Sequence, residues 1–243
     1  MTAIAIIPAR FDSVRFPGKM LADRTGKPLI QHVHERASQA KLIDRVIIAA
    51  DDERIVNAVQ EFGGQAIMTR RDHSNGTSRI AEAVAHYDAQ IIVNVQGDEP
   101  EIEPSLIDLA VQTLRDHADC PMATLASPFA PDESPSDPNI VKVVIDRQCR
   151  ALYFSRSQIP FDRDGAGQAI PLKHVGLYVY RREFLQVYAS LAPTPLEQAE
   201  KLEQLRVLEH GYKIAVAVGE AHFHGIDTPE QYEEFVRRFT TQE

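Results

Sequence analysis

A basic loop near the N-terminus holds the side chains with the clearest capacity for chemistry. In the stretch IPARFDSVRFPGK, residues 7–19, two arginines and a lysine (Arg10, Arg15 and Lys19) are accompanied by a single acid. Guanidinium groups can bind two phosphate oxygens at once, lysine adds a compact charge, and Gly18 permits close backbone approach. The loop predicts a cradle for a group of about triphosphate size. The charges alone are explained equally well by a basic loop that is exposed to solvent and binds no ligand.

The overall charge makes this local cluster informative. The 243 residues contain 26 Lys and Arg against 35 Asp and Glu, a net charge of -9. Such a chain repels nucleic acid and anionic membranes, so any polyanion needs a local cationic pocket. The loop matches neither the G-x-G-x-x-G fingerprint nor a P-loop. A strand is predicted directly at the start of the sequence, and the sequence contains no signal-peptide pattern and no apolar run long enough to span a membrane. We therefore expect a cytoplasmic protein.

Two aspartates at predicted strand ends are candidate metal ligands. Asp98 follows the apolar run IIVNVQG, and Asp227 comes just before a helix start at Thr228 and Pro229. Mg²⁺ favours one or two carboxylates together with substrate phosphates. Either residue could instead serve only its turn or helix start. Their pairing with the basic loop favours magnesium.

The elements that must position these residues form an alternating pattern. Strands are predicted at 3–7, 45–50, 65–68 and 90–95, and helices at 29–40, 52–62 and 77–87. Apolar strands alternating with helices are typical of an α/β fold with a mostly parallel sheet flanked by helices. Ligands of such sheets bind beyond the carboxyl ends of the strands, where the basic loop and Asp98 would lie.

The later part of the chain departs from this alternation. Thr194 with Glu197, and Thr228 with Gln231, predict capping boxes with proline at the first helical position. Before both of these helix starts, strands near 140–145 and 151–154 follow a Pro-rich stretch, and no helix separates the two strands. This predicts a small antiparallel excursion at about 128–192 within one domain spanning 1–243, and we expect the excursion to form a dimer contact.

Several stretches together resemble the 3-deoxy-manno-octulosonate cytidylyltransferases, the CMP-Kdo synthetases of lipopolysaccharide assembly. The resemblance covers nearly the whole chain, and its motifs are the basic loop, NVQGDEP at 94–100, YFSR at 153–156, KHVGLY at 173–178 and KLEQLR at 201–206. It implies a nucleotide-diphospho-sugar transferase-like fold, a homodimer, Mg²⁺, and CTP and Kdo (3-deoxy-D-manno-octulosonate) as substrates, with pyrophosphate as the second product.

The resemblance also implies a role for each matching residue. CTP would be bound by Ala9, Arg10, Ser13, Arg15, Lys19, Arg70, Gly76 and Gln96, Kdo by Arg156, His174, Tyr178, Glu203 and Gln204, and Mg²⁺ by Asp98 and Asp227, with Arg10, Arg15, Lys19 and Asp98 as the catalytic set. On spacing alone, His174 and Tyr178 share one strand face and could be core residues. Glu203 and Gln204, in a helix opened by Thr194, could be solvated.

Some positions leave other interpretations open. Asn75 and Ser78 stand where the family more often has serine and an acid, although Asn75 could still hydrogen-bond and Ser78 could cap the next helix. A nucleotidyltransferase for a related acid sugar, 8-amino-Kdo or sialic acid, or a non-catalytic nucleotide-binding module remains compatible with the sequence. His222 and His224 could bind zinc, but a solvated or structural pair is favoured because no third ligand is evident.

Overall fold

The computed structural model describes residues 1–13, 15–73, 75–165, 167, 170–223 and 225–241. The chain divides into two compact units. The first comprises Met1–Ile107 and Phe223–Glu243, and the second comprises Asp108–His222. The excursion expected at about 128–192 lies within the second unit.

The first unit is built on four parallel strands. These are β1 (Ala3–Ala9), β2 (Arg45–Ala50), β3 (Ala66–Met68) and β4 (Ile91–Asn94), in the spatial order β3-β2-β1-β4. Its helices are α1 (Leu29–Ser38), α2 (Glu53–Glu61), α3 (Gly76–Val84) and the C-terminal α8 (Pro229–Thr241), while α4 (Pro104–Asp116) leads into the second unit. The predicted parallel α/β pattern is confirmed. The central strand β1 runs to Ala9, two residues further than predicted, because it continues to pair with β2.

An apolar cluster fixes the C-terminal helix to the first unit. Tyr232, Phe235 and Val236 of α8 pack with Leu29 at the start of α1 and with Ile226. All five side chains are buried, so each contributes on the order of 1.5–3 kcal/mol of hydrophobic stabilisation. Because Ile226 belongs to the cluster, the neighbouring Asp227 is held by the core.

The second unit contains a mixed sheet. Its strands are β5 (Met122–Pro128), β6 (Lys142–Ile145), β7 (Ala151–Ser155), β8 (Leu172–Arg181) and β9 (Ile214–Val218), and its helices are α5 (Arg182–Ser190), α6 (Pro195–Glu200) and α7 (Gln204–Glu209). Strand β5 is parallel to β9 and antiparallel to β8, and β6 is antiparallel to both β7 and β8. The predicted antiparallel excursion is confirmed.

The two predicted helix starts are also present. The Thr194 amide donates to Glu197 Oε2 at 3.2 Å, and the Thr228 amide donates to Gln231 Oε1 at 3.1 Å. The first of these helices is shorter than expected. It ends at Glu200, because Lys201 takes a left-handed conformation with φ of 55°, and a second helix begins at Gln204.

Within the described ranges, no helix combines the length and the apolar character needed to cross a membrane.

Candidate active site

A buried lysine joins the two aspartates predicted to bind metal. Lys19 Nζ lies 3.0 Å from Asp98 Oδ2 and 3.6 Å from Asp227 Oδ1, and it donates to the carbonyl oxygen of Ile226 at 2.7 Å. Only 5% of Lys19 is exposed. Arg15 Nη2 reaches the other oxygen of Asp227 at 2.9 Å. Four of the residues singled out by the sequence thus form one network of two cations and two anions.

Local backbone geometry brings these side chains together. Gly18, with φ of 71°, opens the short 3₁₀ turn Lys19–Leu21 that directs Lys19 inward. A Cβ atom on Gly97 would lie 2.9 Å from the carbonyl oxygen of Pro8, so only glycine lets the turn before Asp98 approach β1 this closely. The Ile226 amide donates to the Asp98 carbonyl at 2.8 Å and ties the two acidic segments together.

The arrangement fits a metal that is shared with substrate. Asp98 and Asp227 already converge on one cationic point, the Lys19 ammonium. No group of three or more His, Cys, Asp or Glu residues suited to a metal occurs among the described residues. Mg²⁺ is often held by only one or two carboxylates, and the remaining ligands are then water and phosphate oxygens. The donor set therefore fits Mg²⁺ bound together with a nucleotide.

The remaining residues of the predicted phosphate cradle lie around the end of β1. Ala9 is the last, buried residue of the strand, and Ser13 is half-buried in the loop. Arg10 Nη2 donates to the carbonyl oxygen of His73 at 3.0 Å, so its guanidinium is held by the segment before α3. Arg15 keeps a largely exposed side chain.

The residues predicted to lie near the nucleoside come from three separate segments. Arg70 is exposed and lies 3.6 Å from Glu82, whereas Gln96 donates to Asn94 at 3.4 Å. Gly76 is the first residue of α3. A cavity of about 600 Å³ opens beside the ends of β2 and β3, and Arg70 forms part of its wall.

The unusual pair Asn75 and Ser78 has a defined structural role. The Asn75 side chain accepts a hydrogen bond from the Ser78 amide at 2.9 Å and caps α3. Ser78 is inside the helix, with its hydroxyl directed to the Asn75 carbonyl and to His73. The prediction that Ser78 caps the helix is wrong, because Asn75, with extended backbone, occupies the capping position.

In the second unit, His174 and Tyr178 share one face of β8 as predicted. Their ring centroids are 5.5 Å apart. The Thr124 hydroxyl donates its only proton to the Leu177 carbonyl at 2.8 Å, so it accepts from His174 Nε2 at 2.9 Å. Burial lowers the pKa of His174 to about 3. The imidazole is therefore neutral at pH 7, with Nδ1 as an acceptor, and is a weak base.

The other predicted sugar-binding residues lie around the break between α6 and α7. Gln204 is buried, with 3% exposed, so a solvated position is excluded for it, and Glu203 is half-buried. The Tyr178 hydroxyl donates to Gln204 Oε1 at 3.3 Å. Among the described residues, Gln204 Nε2 has no acceptor, although it is buried. A buried amide donor of this kind is suited to a ligand oxygen.

Sequence reasoning missed a buried ion pair beneath the basic loop. Arg79, with 0% exposed, donates to Asp51 Oδ2 at 3.1 Å and to Thr69 Oγ1 at 2.6 Å. The other oxygen of Asp51 accepts from the Phe11 amide at 2.9 Å. From the sequence, Arg79 was placed only within the helix predicted at 77–87, and Asp51 was assigned no role in the site. Asp51 is flanked by Ala50 and Asp52, and Arg79 by Ser78 and Ile80, so the neighbouring residues give no signal of burial.

The structure also reveals a buried acid, Glu99, and the position of one histidine of the possible zinc pair. Glu99 is buried, and desolvation together with the charge of Asp98 raises its pKa to about 8. Nothing in the sequence distinguishes it from a solvated loop acid. His222 lies 3.6 Å from Glu220 at the surface, and the second histidine of the possible zinc pair, His224, lies outside the described residues.

Comparison with known proteins gives a consistent result. Residues 4–214 match the model of the Cytidylyltransferase family. A 3-deoxy-manno-octulosonate cytidylyltransferase of Syntrophobacter fumaroxidans is 52% identical over 240 residues, which cover 97% of this chain and 96% of that protein. A solved structure of CMP:2-keto-3-deoxy-manno-octonic acid synthetase complexed with CTP is 45% identical, covers 100% of both chains and has a TM-score of 0.95. A cytidylyltransferase from Leptospira borgpetersenii, 17% identical with a TM-score of 0.66 over 99% of this chain and 87% of that one, shares the fold.

Proposed function

The chain belongs to the 3-deoxy-manno-octulosonate cytidylyltransferase family, and on that premise we propose that it couples CTP and Kdo to CMP-Kdo and pyrophosphate for lipopolysaccharide biosynthesis. It is a nucleotidyltransferase. In the proposed reaction the anomeric hydroxyl oxygen of Kdo attacks the α-phosphorus of CTP in line. The bond from that phosphorus to the bridging oxygen breaks, pyrophosphate leaves with the electron pair, and the hydroxyl proton is released to water.

The convergence of Lys19, Asp98 and Asp227 is the observation that carries this proposal. Asp98 and Asp227 would hold Mg²⁺, which supplies neutralisation of phosphate charge and polarisation of the α-phosphate when it is bound. Lys19 would stay beside Asp98 as a fixed positive charge facing the phosphates. Arg15, which is exposed and paired only with Asp227 in the described network, would turn to the departing pyrophosphate together with Arg10.

No covalent intermediate on the protein is required by this scheme. The low basicity of His174 supports a binding role and argues against general base catalysis. Its Nδ1 would accept a hydrogen bond from a hydroxyl of Kdo, and the unpaired Gln204 amide would donate to another. Tyr178 and Glu203 would complete the hydroxyl contacts, while Arg156 would bind the carboxylate.

A pyrophosphate-release assay tests the proposal directly. CTP and Mg²⁺ are supplied with Kdo, 8-amino-Kdo or sialic acid, and Asp98→Asn and Asp227→Asn are compared with the unchanged chain. We expect fast release with Kdo and losses of 100-fold or more, roughly, in both variants. Faster release with another sugar would reassign the substrate. Tight CTP binding without release for any sugar would favour the non-catalytic nucleotide-binding module.

We further propose a homodimer formed through the excursion of the second unit. Leu152, Phe161 and Ile170 are large apolar side chains that lie exposed there, Phe161 with 86% of its surface accessible. Several large apolar side chains exposed within one segment of the chain favour an interaction surface there. Sedimentation at increasing concentration should give the dimer mass, and a monomer at every concentration would refute the proposal. We also propose a cytoplasmic location, because CTP, the proposed substrate, is a cytoplasmic nucleotide.

A further inference from the structure

The half-buried Arg156 is held by four hydrogen bonds. Its Nε donates to the carbonyl oxygen of Glu200 at 2.7 Å, and its Nη1 donates to that of Pro138 at 3.1 Å. Its backbone amide donates to Glu200 Oε2 at 2.9 Å, and its carbonyl accepts from Lys142 Nζ. Both the backbone and the guanidinium of Arg156 are therefore fixed.

Two charged side chains, those of Glu200 and Lys142, restrain the backbone of Arg156. The carboxylate of Glu200 accepts from the Ser155 hydroxyl at 2.6 Å in addition to the Arg156 amide. Burial alone would raise the pKa of Glu200, but these hydrogen bonds outweigh it and lower the pKa, so the group is ionised at pH 7. Its contacts join the end of β7 to the last residue of α6.

Lys142 fixes the opposite side of the same residue. Its side chain is fully buried, with 0% exposed, and its ammonium donates to the carbonyl oxygens of Asp137 at 2.9 Å and Ile140 at 2.7 Å as well as to Arg156. A lysine ammonium has three donors, and carbonyl oxygens accept all three. Lys142 thus fastens the turn that carries Pro138, which in turn holds the Arg156 guanidinium.

The geometry points to Glu200 and Lys142 as positioning residues that fix the Arg156 guanidinium to receive the carboxylate of a sugar acid, an inference that rests on the proposed function. Among the described residues, no acceptor lies within hydrogen-bond distance of Arg156 Nη2. Nη2, together with the second N–H of Nη1, is therefore left to donate to a ligand. Fixing it in advance removes the conformational entropy that a mobile arginine would lose on binding.

The test compares two substrates in each variant, Kdo and its C1 carboxamide. The ratio of kcat/KM for the two substrates measures how strongly the enzyme uses the carboxylate. Any intrinsic effect of the carboxylate on the reactivity of the anomeric hydroxyl is the same in every variant and cancels. Charge-assisted hydrogen bonds predict a ratio of about 10 to 100 for the unchanged enzyme, and Arg156→Ala should reduce it to near 1.

Glu200→Gln and Lys142→Met should each lower the ratio by about tenfold, with KM for CTP unchanged. Glu200→Asp should restore part of the ratio. Glu209→Gln is the matched control, because Glu209 accepts from the Leu196 and Glu197 amides in the same pair of helices and does not contact Arg156. Its ratio should equal that of the unchanged enzyme.

If Glu200→Gln lowers kcat/KM equally for Kdo and for its C1 carboxamide, the inference is overturned and the role of Glu200 is purely structural. If that variant does not fold, Arg156→Lys decides the question, since lysine keeps the charge but cannot reproduce both guanidinium contacts. A preserved ratio in Arg156→Lys would overturn the inference, and a lost ratio would support it. Failure of the unchanged enzyme to use Kdo would instead refute the proposed function.

Discussion

Replacing Asp51 with asparagine should strongly destabilise the first unit. Arg79 is fully buried. Among the described residues, its guanidinium donates only to Asp51 and to the Thr69 hydroxyl, and its Nε has no acceptor. Breaking a buried ion pair on one side costs about 3–5 kcal/mol, because the other charge remains buried without compensation. Asparagine keeps the shape and one acceptor oxygen, so we expect a loss of about 3 kcal/mol, a large part of a typical domain's stability.

Urea denaturation followed by circular dichroism measures this loss. Glu233→Gln is the control, since Glu233 pairs with Arg24 at the surface and such exposed pairs contribute at most about 1 kcal/mol. The double variant Asp51→Asn with Arg79→Met removes both charges. Its destabilisation should fall short of the sum of the single effects by at least about 1 kcal/mol. A loss below 1 kcal/mol for Asp51→Asn, roughly, or additive effects in the double variant, would refute the assignment of Arg79 and Asp51 as a coupled pair.

Two further predictions concern a close backbone approach and a histidine whose pKa is lowered by desolvation. Gly97→Ala should lower the free energy of unfolding by about 1–3 kcal/mol, because its Cβ would lie 2.9 Å from the Pro8 carbonyl oxygen. Gly225→Ala is the control, since its Cβ would come no closer than 4.0 Å to the Asp98 carbonyl oxygen. Equal effects of the two substitutions in urea denaturation would contradict the steric explanation. The pKa of His174 is lowered to about 3, below the 6.5 of an exposed histidine. Between the two pKa values, the unfolded state therefore binds a proton at His174 that the folded state does not bind. The stability that the neutral imidazole contributes is present above pH 6.5 and is lost as the pH falls, by about 2 kcal/mol at pH 5. His174→Phe should show a correspondingly smaller loss between pH 7 and pH 5, and an unchanged loss would show that other groups cause it.

Periodicity and turn chemistry were sufficient to predict most of the fold. The four parallel strands, the two capped helix starts and the helix-free connection between β6 and β7 follow from apolar runs, proline and threonine positions. The break after Glu200 could not be predicted, because a left-handed lysine has no sequence signal comparable to glycine. The cap at Asn75 was ambiguous for a related reason, since asparagine and serine both cap helices.

The site shows a sharper division between what sequence can and cannot reveal. Asp98, Asp227 and Lys19 were accessible because their side chains have the chemistry that phosphate and Mg²⁺ require. Asp98 follows strand β4 as predicted, but the prediction of a strand end before Asp227 is wrong, since β9 already ends at Val218. The positioning role of Glu200 and Lys142 could not be predicted, because in the sequence each resembles an ordinary surface charge. Their contacts are made to backbone carbonyls and amides, which any residue could supply. The contacts that fix Arg156 are made largely to main-chain atoms. Recognition of the carboxylate therefore depends on the tertiary positions of β6, β7 and α6, and the arginine alone does not specify it.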